Sequence, residues 1–253
     1  LRLAKKAREL SRIMGFEVRP RVFPSLCDPF EDRIDLLPWR AEFFELIEKT
    51  PELDWLLLTK RPENVLGMVP HMSWYGTNDF ARTHCRFPSN LWLGTSVENQ
   101  EAADKRIPHL LEVPAKVRFL SCEPLLGPID FVLAKENQDT LFGSQVVGAN
   151  VLAGRVETRF QNGAVYLDQA VDERRVHWVI VGGESGSDAR PMHPDWVRGI
   201  RDQCVTAGVP YLFKQWGRHA PDENGKLWRH SSKHHAGRIL DGRTWDEQPK
   251  VSR

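Results

Sequence analysis

Charged and amide side chains recur at one kind of place in this sequence, directly after a short apolar run. Asp28 follows Arg21-Val22-Phe23, Lys60 and Arg61 follow Trp55-Leu56-Leu57-Leu58, and Glu98 follows Leu91-Trp92-Leu93-Gly94. Glu123 follows Val117-Arg118-Phe119-Leu120. Gly182, Gly183 and Glu184, with Arg190 a little further on, follow Val179-Ile180-Val181, and Lys214 and Gln215 leave Tyr211-Leu212-Phe213. A charge beside a buried strand is costly unless it is paired or binds something. Two readings are therefore open. In one, the cations and carboxylates form an internal ion-pair network, for example Lys60 or Lys214 with Glu123. In the other, they line a pocket for a ligand that carries both charges, as titratable groups gathered in a cleft often do.

The individual strings divide the same way. Glu98, Glu123 and Glu184 could supply a general acid and base. Thr95-Ser96-Val97-Glu98-Asn99 could equally be a helix N-cap with acidic first-turn residues. Gly182-Gly183-Glu184-Ser185-Gly186 lets the backbone approach a ligand, or simply turns tightly. Lys214-Gln215-Trp216-Gly217 offers a cation, an amide and an aromatic face together. Each string is weak alone; their shared position raises the odds of a site.

That shared position implies the architecture. Near-continuous apolar runs suit strands buried on both faces, the state of strands in parallel sheets. The segments between them read as helices. Pro38 opens one in which Trp39, Phe43 and Ile47 share a face. Asn99 to Leu111 reads as two short helices, because Pro108 should break it. Pro194 and Asp195 open the clearest helix, with Trp196, Val197, Ile200 and Cys204 on its buried face and Gly208 at its end. About six parallel strands alternating with helices make an α/β protein, and a partial (β/α) TIM-like barrel is favoured over an open doubly wound sheet. There is no G-x-G-x-x-G or Walker A string to support a nucleotide-binding sheet.

The expected organisation is a single barrel domain over residues 1–217 and a surface-wrapping tail over 218–253, pinned by packing at Trp228 and Trp245. An inserted, hairpin-like excursion occupies about 134–175, carrying Gln145-Val146-Val147 and Ala164-Val165-Tyr166-Leu167 with a turn at Gln161-Asn162-Gly163. Met72 to Pro88 reads as a loop.

Composition bounds the function. With 253 residues, 35 Lys plus Arg and 34 Asp plus Glu, the net charge is +1, which argues against a dominant electrostatic nucleic-acid binder. A local basic patch stays open: Lys5-Lys6, the tail from Arg229 to Arg243, and tryptophans that could stack on bases. No apolar run approaches the roughly 20 residues that cross a bilayer. The four cysteines, Cys27, Cys85, Cys122 and Cys204, are scattered, which suits reduced thiols in a cytoplasmic protein. No paired spacing suggests a metal site, and His84 and His234-His235 lie in polar stretches.

Taken in order, the strings resemble the phage Gp37/Gp68 family (DUF5131), a family of uncharacterised proteins of phages and bacteria. The carriers are Trp55 to Pro62, Asn90 to Glu98, Arg118-Phe119-Leu120-Ser121-Cys122-Glu123-Pro124-Leu125, Trp178 to Gly186, Ala189-Arg190-Pro191-Met192 and Phe213 to Gly217. Ala236-Gly237-Arg238 and Leu240 to Arg243 add to them, so the resemblance runs from about Arg19 to about Pro249. It implies a radical-SAM-type barrel. Full-length members carry an N-terminal segment with three closely spaced cysteines, which would hold three irons of a 4Fe-4S cluster. The open iron would bind S-adenosylmethionine, whose reductive cleavage gives a 5′-deoxyadenosyl radical. This sequence has no such cysteine string. Leu1 opens inside a basic helix-like segment, Leu1 to Met14, so a truncated start is expected, and these residues alone should hold no cluster. The expected pocket residues are Asp28, Lys60, Glu98, Glu123, Gly182, Gly183, Glu184, Arg190, Lys214 and Gln215, with Glu184 as acceptor for the ammonium of the methionyl group. The expected partners are a small-molecule or nucleic-acid substrate and a protein encoded nearby. The alternatives are a cluster-independent barrel enzyme using paired carboxylates and an accessory nucleic-acid-binding protein.

Overall fold

The six apolar runs become six parallel neighbours. A computed structural model describes residues 1–24, 27–69, 87–133, 144–160, 165–167, 174–222 and 224–250. The loop expected over Met72 to Pro88 lies outside them apart from its last two residues, as do Cys85 and the turn at Gln161-Asn162-Gly163. The parallel strands are β1 (Arg21–Val22), β2 (Asp54–Thr59), β3 (Leu91–Ser96), β4 (Val117–Cys122), β9 (Trp178–Gly182) and β10 (Tyr211–Gln215), ordered β1-β2-β3-β4-β9-β10. The sheet curls into half of a β/α barrel with helices on its outer face.

Those helices are α1 (Arg2–Met14), α2 (Leu37–Glu48), the short α3 (Val65–Met68), α4 (Gln100–Glu112) and α5 (Pro194–Ala207). Alternation along each strand divides two cores. Leu57, Leu93, Leu120, Val179, Val181 and Phe213 point outward and pack with Phe44 and Ile47 of α2, Ile107 and Leu110 of α4, and Val197 and Ile200 of α5. Leu56, Trp92, Val117, Phe119 and Trp178 fill the inner face, with Leu58, Ile180 and Leu212 partly buried against them. The Phe119 ring lies where a Cβ on Gly94 would stand, so that strand position requires glycine.

Two helices differ from the sequence expectation. In α2 the buried residues are Arg40, Phe44 and Ile47, while Trp39 is exposed and stacks on Phe43. Arg40 is drawn inward because its guanidinium donates to the carbonyls of Pro29 (2.7 Å) and Glu31 (2.8 Å). Pro108 does not split α4, which is one helix of 13 residues. Pro108 and Asp104, whose carbonyl loses its helical donor, both lie on the exposed side, where water can serve that carbonyl. Ala103, Ile107 and Leu110 hold the other side against the sheet. The α5 reading matches, with Gly208 closing the helix at φ 66°.

The excursion is a four-stranded antiparallel meander: β5 (Val132–Leu133), β6 (Ser144–Asn150), β7 (Arg155–Phe160) and β8 (Val165–Leu167). The tail forms a hairpin, β11 (His219–Pro221) with β12 (Leu227–Arg229), then α6 (Lys233–Ala236). Beyond α6 it turns back along β10. The Phe213 N–H donates to the Trp245 carbonyl (2.9 Å) and the Glu247 N–H to the Tyr211 carbonyl (3.1 Å). The Trp178 indole donates to the Glu247 carbonyl (2.9 Å), and Arg21 of β1 bonds Gln248. The tail thus touches both edge strands of the half-barrel and covers the backbone of one. Trp245 is pinned against Tyr211 as expected; Trp228 is instead 52% exposed.

Candidate functional site

The polar strings leave the C-terminal ends of the parallel strands and form four groups there. Asp28 is held first. Its carboxylate accepts from the Thr59 hydroxyl (3.1 Å), the Phe30 N–H (3.0 Å) and the Arg61 guanidinium (3.0 Å). It ties the loop after β1 to the end of β2, which is a structural task.

The second group centres on Glu98, which follows β3 and precedes α4. Lys60 reaches one carboxylate oxygen at 2.6 Å and Arg106 the other at 2.7 Å. Arg106 also donates to the Ser96 carbonyl (2.8 Å), so it is anchored by the strand end as well. Burial raises the Glu98 carboxyl, but the bond to Lys60 and the charges of Arg106 and Lys60 outweigh it and leave the group below the ordinary range. Glu98 is 13% exposed and Arg106 19%, whereas Lys60 is 58% exposed. The pair is sheltered on one side and open to replacement on the other.

The third group follows β4 and β10. Glu123 accepts from Lys214 (2.9 Å) and from the Gln215 amide (3.2 Å). Lys214 with Glu123 is one of the two pairs the sequence suggested; Lys60 goes to Glu98 instead, the carboxylate on the adjacent strand. A cleft of about 530 Å³ lies at this end, lined by Lys60, Glu98, Arg106, Pro124, Glu184 and Arg190 together with other residues. A larger cavity of about 820 Å³ is lined by Gln100, Ile129, Asn150 and Gln203 among others, and by none of the Lys60, Glu98, Glu123 or Glu184 groups.

The glycine loop has its own internal logic. Glu184 accepts the Arg190 backbone N–H (2.8 Å) and the Nε and Nη2 of its guanidinium (2.9 Å each), which brings its carboxyl down to about 2. These bonds occupy both oxygens, so Glu184 closes the loop rather than standing ready for an ammonium. Gly183 is required because a Cβ there would collide with the Trp216 carbonyl, and one on Gly182 would come within 3.0 Å of the Glu123 carboxylate. Both glycines serve close packing of chain segments. Sequence reasoning missed Arg106 as a site residue; its signal was a cation two turns into the helix that Glu98 precedes.

Over residues 2–249 the chain matches a family described as proteins of unknown function, DUF5131. It belongs to that family. Neither the curated proteins nor the solved structures contain a match to it.

Among the described residues, the thiols of this DUF5131 member do not fit an iron–sulfur cluster. Cys122 and Cys204 are buried and Cys27 is half-buried, all three free. Burial pushes the Cys122 and Cys204 thiols far up and the Cys27 thiol up, opposite to the thiolate a metal needs. Among the described residues no three His, Cys, Asp or Glu side chains gather as a metal-ion site. Also among the described residues, no helix is long and apolar enough to cross a membrane.

Proposed function

We propose that this chain is the ligand-binding half-barrel of a radical-SAM-like enzyme, with the mouth beside Glu98 taking the zwitterionic amino-acid end of S-adenosylmethionine. One observation carries the reading: a sheltered carboxylate, Glu98, paired with an exposed ammonium, Lys60, at the C-terminal rim of a parallel half-barrel. An incoming ligand ammonium replaces Lys60 on Glu98, and its carboxylate takes Lys60 and Arg106. The exchange conserves charge, and the Lys60 side of the pair is exposed, so releasing Lys60 to water costs little. Glu123 with Lys214 presents a second acceptor and donor beside the first. The partial-barrel architecture and the string resemblance support the same class.

The described cysteines do not suit the cluster, so thiolates other than those of Cys27, Cys122 and Cys204 would have to hold it. What this chain contributes is binding, orientation and exclusion of water around the reacting ligand.

The carboxylate-enzyme alternative is less well supported. A general acid needs a pKa near the working pH, yet Glu98 and Glu184 are both held below the ordinary carboxylate range.

The test has two arms. Calorimetry on this chain should detect S-adenosylmethionine, with Glu98→Gln weakening it at least ten-fold. The product of the complete coding sequence, reconstituted with iron and sulfide without oxygen, should release 5′-deoxyadenosine. No binding in the first arm and no deoxyadenosine in the second would overturn the reading.

A further inference from the structure

The C-terminal hairpin carries a surface that the mouth chemistry does not use. Between Lys226 and Arg238 the sequence holds Lys226, Arg229, Lys233 and Arg238 and no Asp or Glu, in a chain whose net charge is only +1. Lys226, Arg229 and Lys233 are exposed, and Arg238 pairs with Asp246. Within this stretch of sequence Trp228 is 52% exposed, on a strand of a two-stranded hairpin.

This ring is oriented rather than loose. Its indole N–H donates to Asp222 (2.8 Å), and the Lys226 ammonium lies 4.6 Å from its centroid. Asp222 is itself fixed by accepting the N–H groups of Asn224 and Lys226, each at 2.9 Å. A pre-set aromatic plate costs less ordering entropy when it stacks on a partner. The hairpin is also tied to the mouth: Arg229 bonds the Ser187 carbonyl in the loop between Glu184 and Arg190, and the Arg218 N–H donates to the Glu184 carbonyl (2.9 Å).

We propose that this hairpin binds single-stranded nucleic acid, with a base stacked on Trp228 and phosphates held by Lys226, Arg229 and Lys233. Aromatic faces with cations alongside are the means by which single strands are held without sequence preference. An acidic peptide would use the cations and leave the ring unused. A duplex keeps its bases stacked on one another and offers the ring none without unstacking. The inference is independent of the proposed function and stands whether or not the mouth binds S-adenosylmethionine.

Fluorescence anisotropy of the full chain with a short labelled oligothymidylate at low salt tests it. Binding should weaken log-linearly as salt rises. Trp228→Ala should weaken it about ten-fold, the loss of one stacked base, and Trp228→Phe should retain most of it. Arg229→Ala with Lys233→Ala should lower the affinity and reduce the salt slope by about 1.4. These side chains are exposed, so far-UV circular dichroism should be unchanged in all variants. Absence of binding would overturn the proposal. So would binding that ignores Trp228→Ala, or that an acidic peptide or the matching duplex equals.

Discussion

Glu184 and Glu98 are both carboxylates beside arginine, yet they differ in what surrounds them. Glu184 sits in an open loop and is lowered to about 2 mainly by hydrogen bonds from Arg190, side chain first and backbone second. Carboxyl titration by NMR should therefore find its midpoint near 2, and Arg190→Ala should raise it towards the ordinary range without reaching it, because the backbone N–H of residue 190 still donates. His177 moves by the opposite physics. Burial and the nearby Arg118 and Arg175 hold its imidazole down to about 4, and its Nδ1 accepts the Arg118 N–H at 3.1 Å. The unfolded chain takes up a proton near pH 6.5 and the folded chain only near 4. Stability is therefore full above pH 6.5 and falls as pH drops towards 4. Allowing for partial exposure, the loss is roughly 1 kcal/mol. Thermal melts at pH 7 and pH 5 should show it, and His177→Asn, whose amide oxygen can take the same N–H, should remove this component.

Elements show how tertiary packing overrides local preference. A proline inside α4 reads as a break, and the helix continues because its apolar side is held by the sheet and its disrupted carbonyl faces water. Pro108→Ala restores a donor to the Asp104 carbonyl. It should raise the stability by about 1 kcal/mol after the greater entropy of the unfolded variant is subtracted, which a higher melting temperature would show. In α2, periodicity alone favoured an aromatic face, whereas two carbonyls of the preceding loop drew Arg40 inward. Such partners lie outside any periodic pattern. The six strands, by contrast, were legible, because a strand buried on both faces must be apolar along its whole length.

The whole molecule is a half-barrel, and a half-barrel has edges. The tail covers one of them: residues 245–247 pair with β10, and Gln248 meets Arg21 on β1. Removing residues 244–250 strips two backbone bonds from β10 and leaves the buried Trp178 indole without its acceptor. The loss should be about 3 kcal/mol, lowering the melting temperature by about 10 °C. The bare edge should also drive concentration-dependent association, which size-exclusion chromatography would detect.

Residue order and type were enough for the strands, their parallel class and the position of the charged groups after them. Burial on two faces and crossover helices leave that imprint in any single chain. Pairing among the charges was not readable. Lys60 meeting Glu98 rather than Glu123, Arg106 arriving from α4, and Glu184 being consumed by Arg190 depend on distances across strands. Nor could glycine types alone tell whether Gly183 admits a ligand or the Trp216 carbonyl. Hydrophobic period is a property of one segment, whereas a salt bridge or a close approach belongs to two, and only the folded arrangement decides which two.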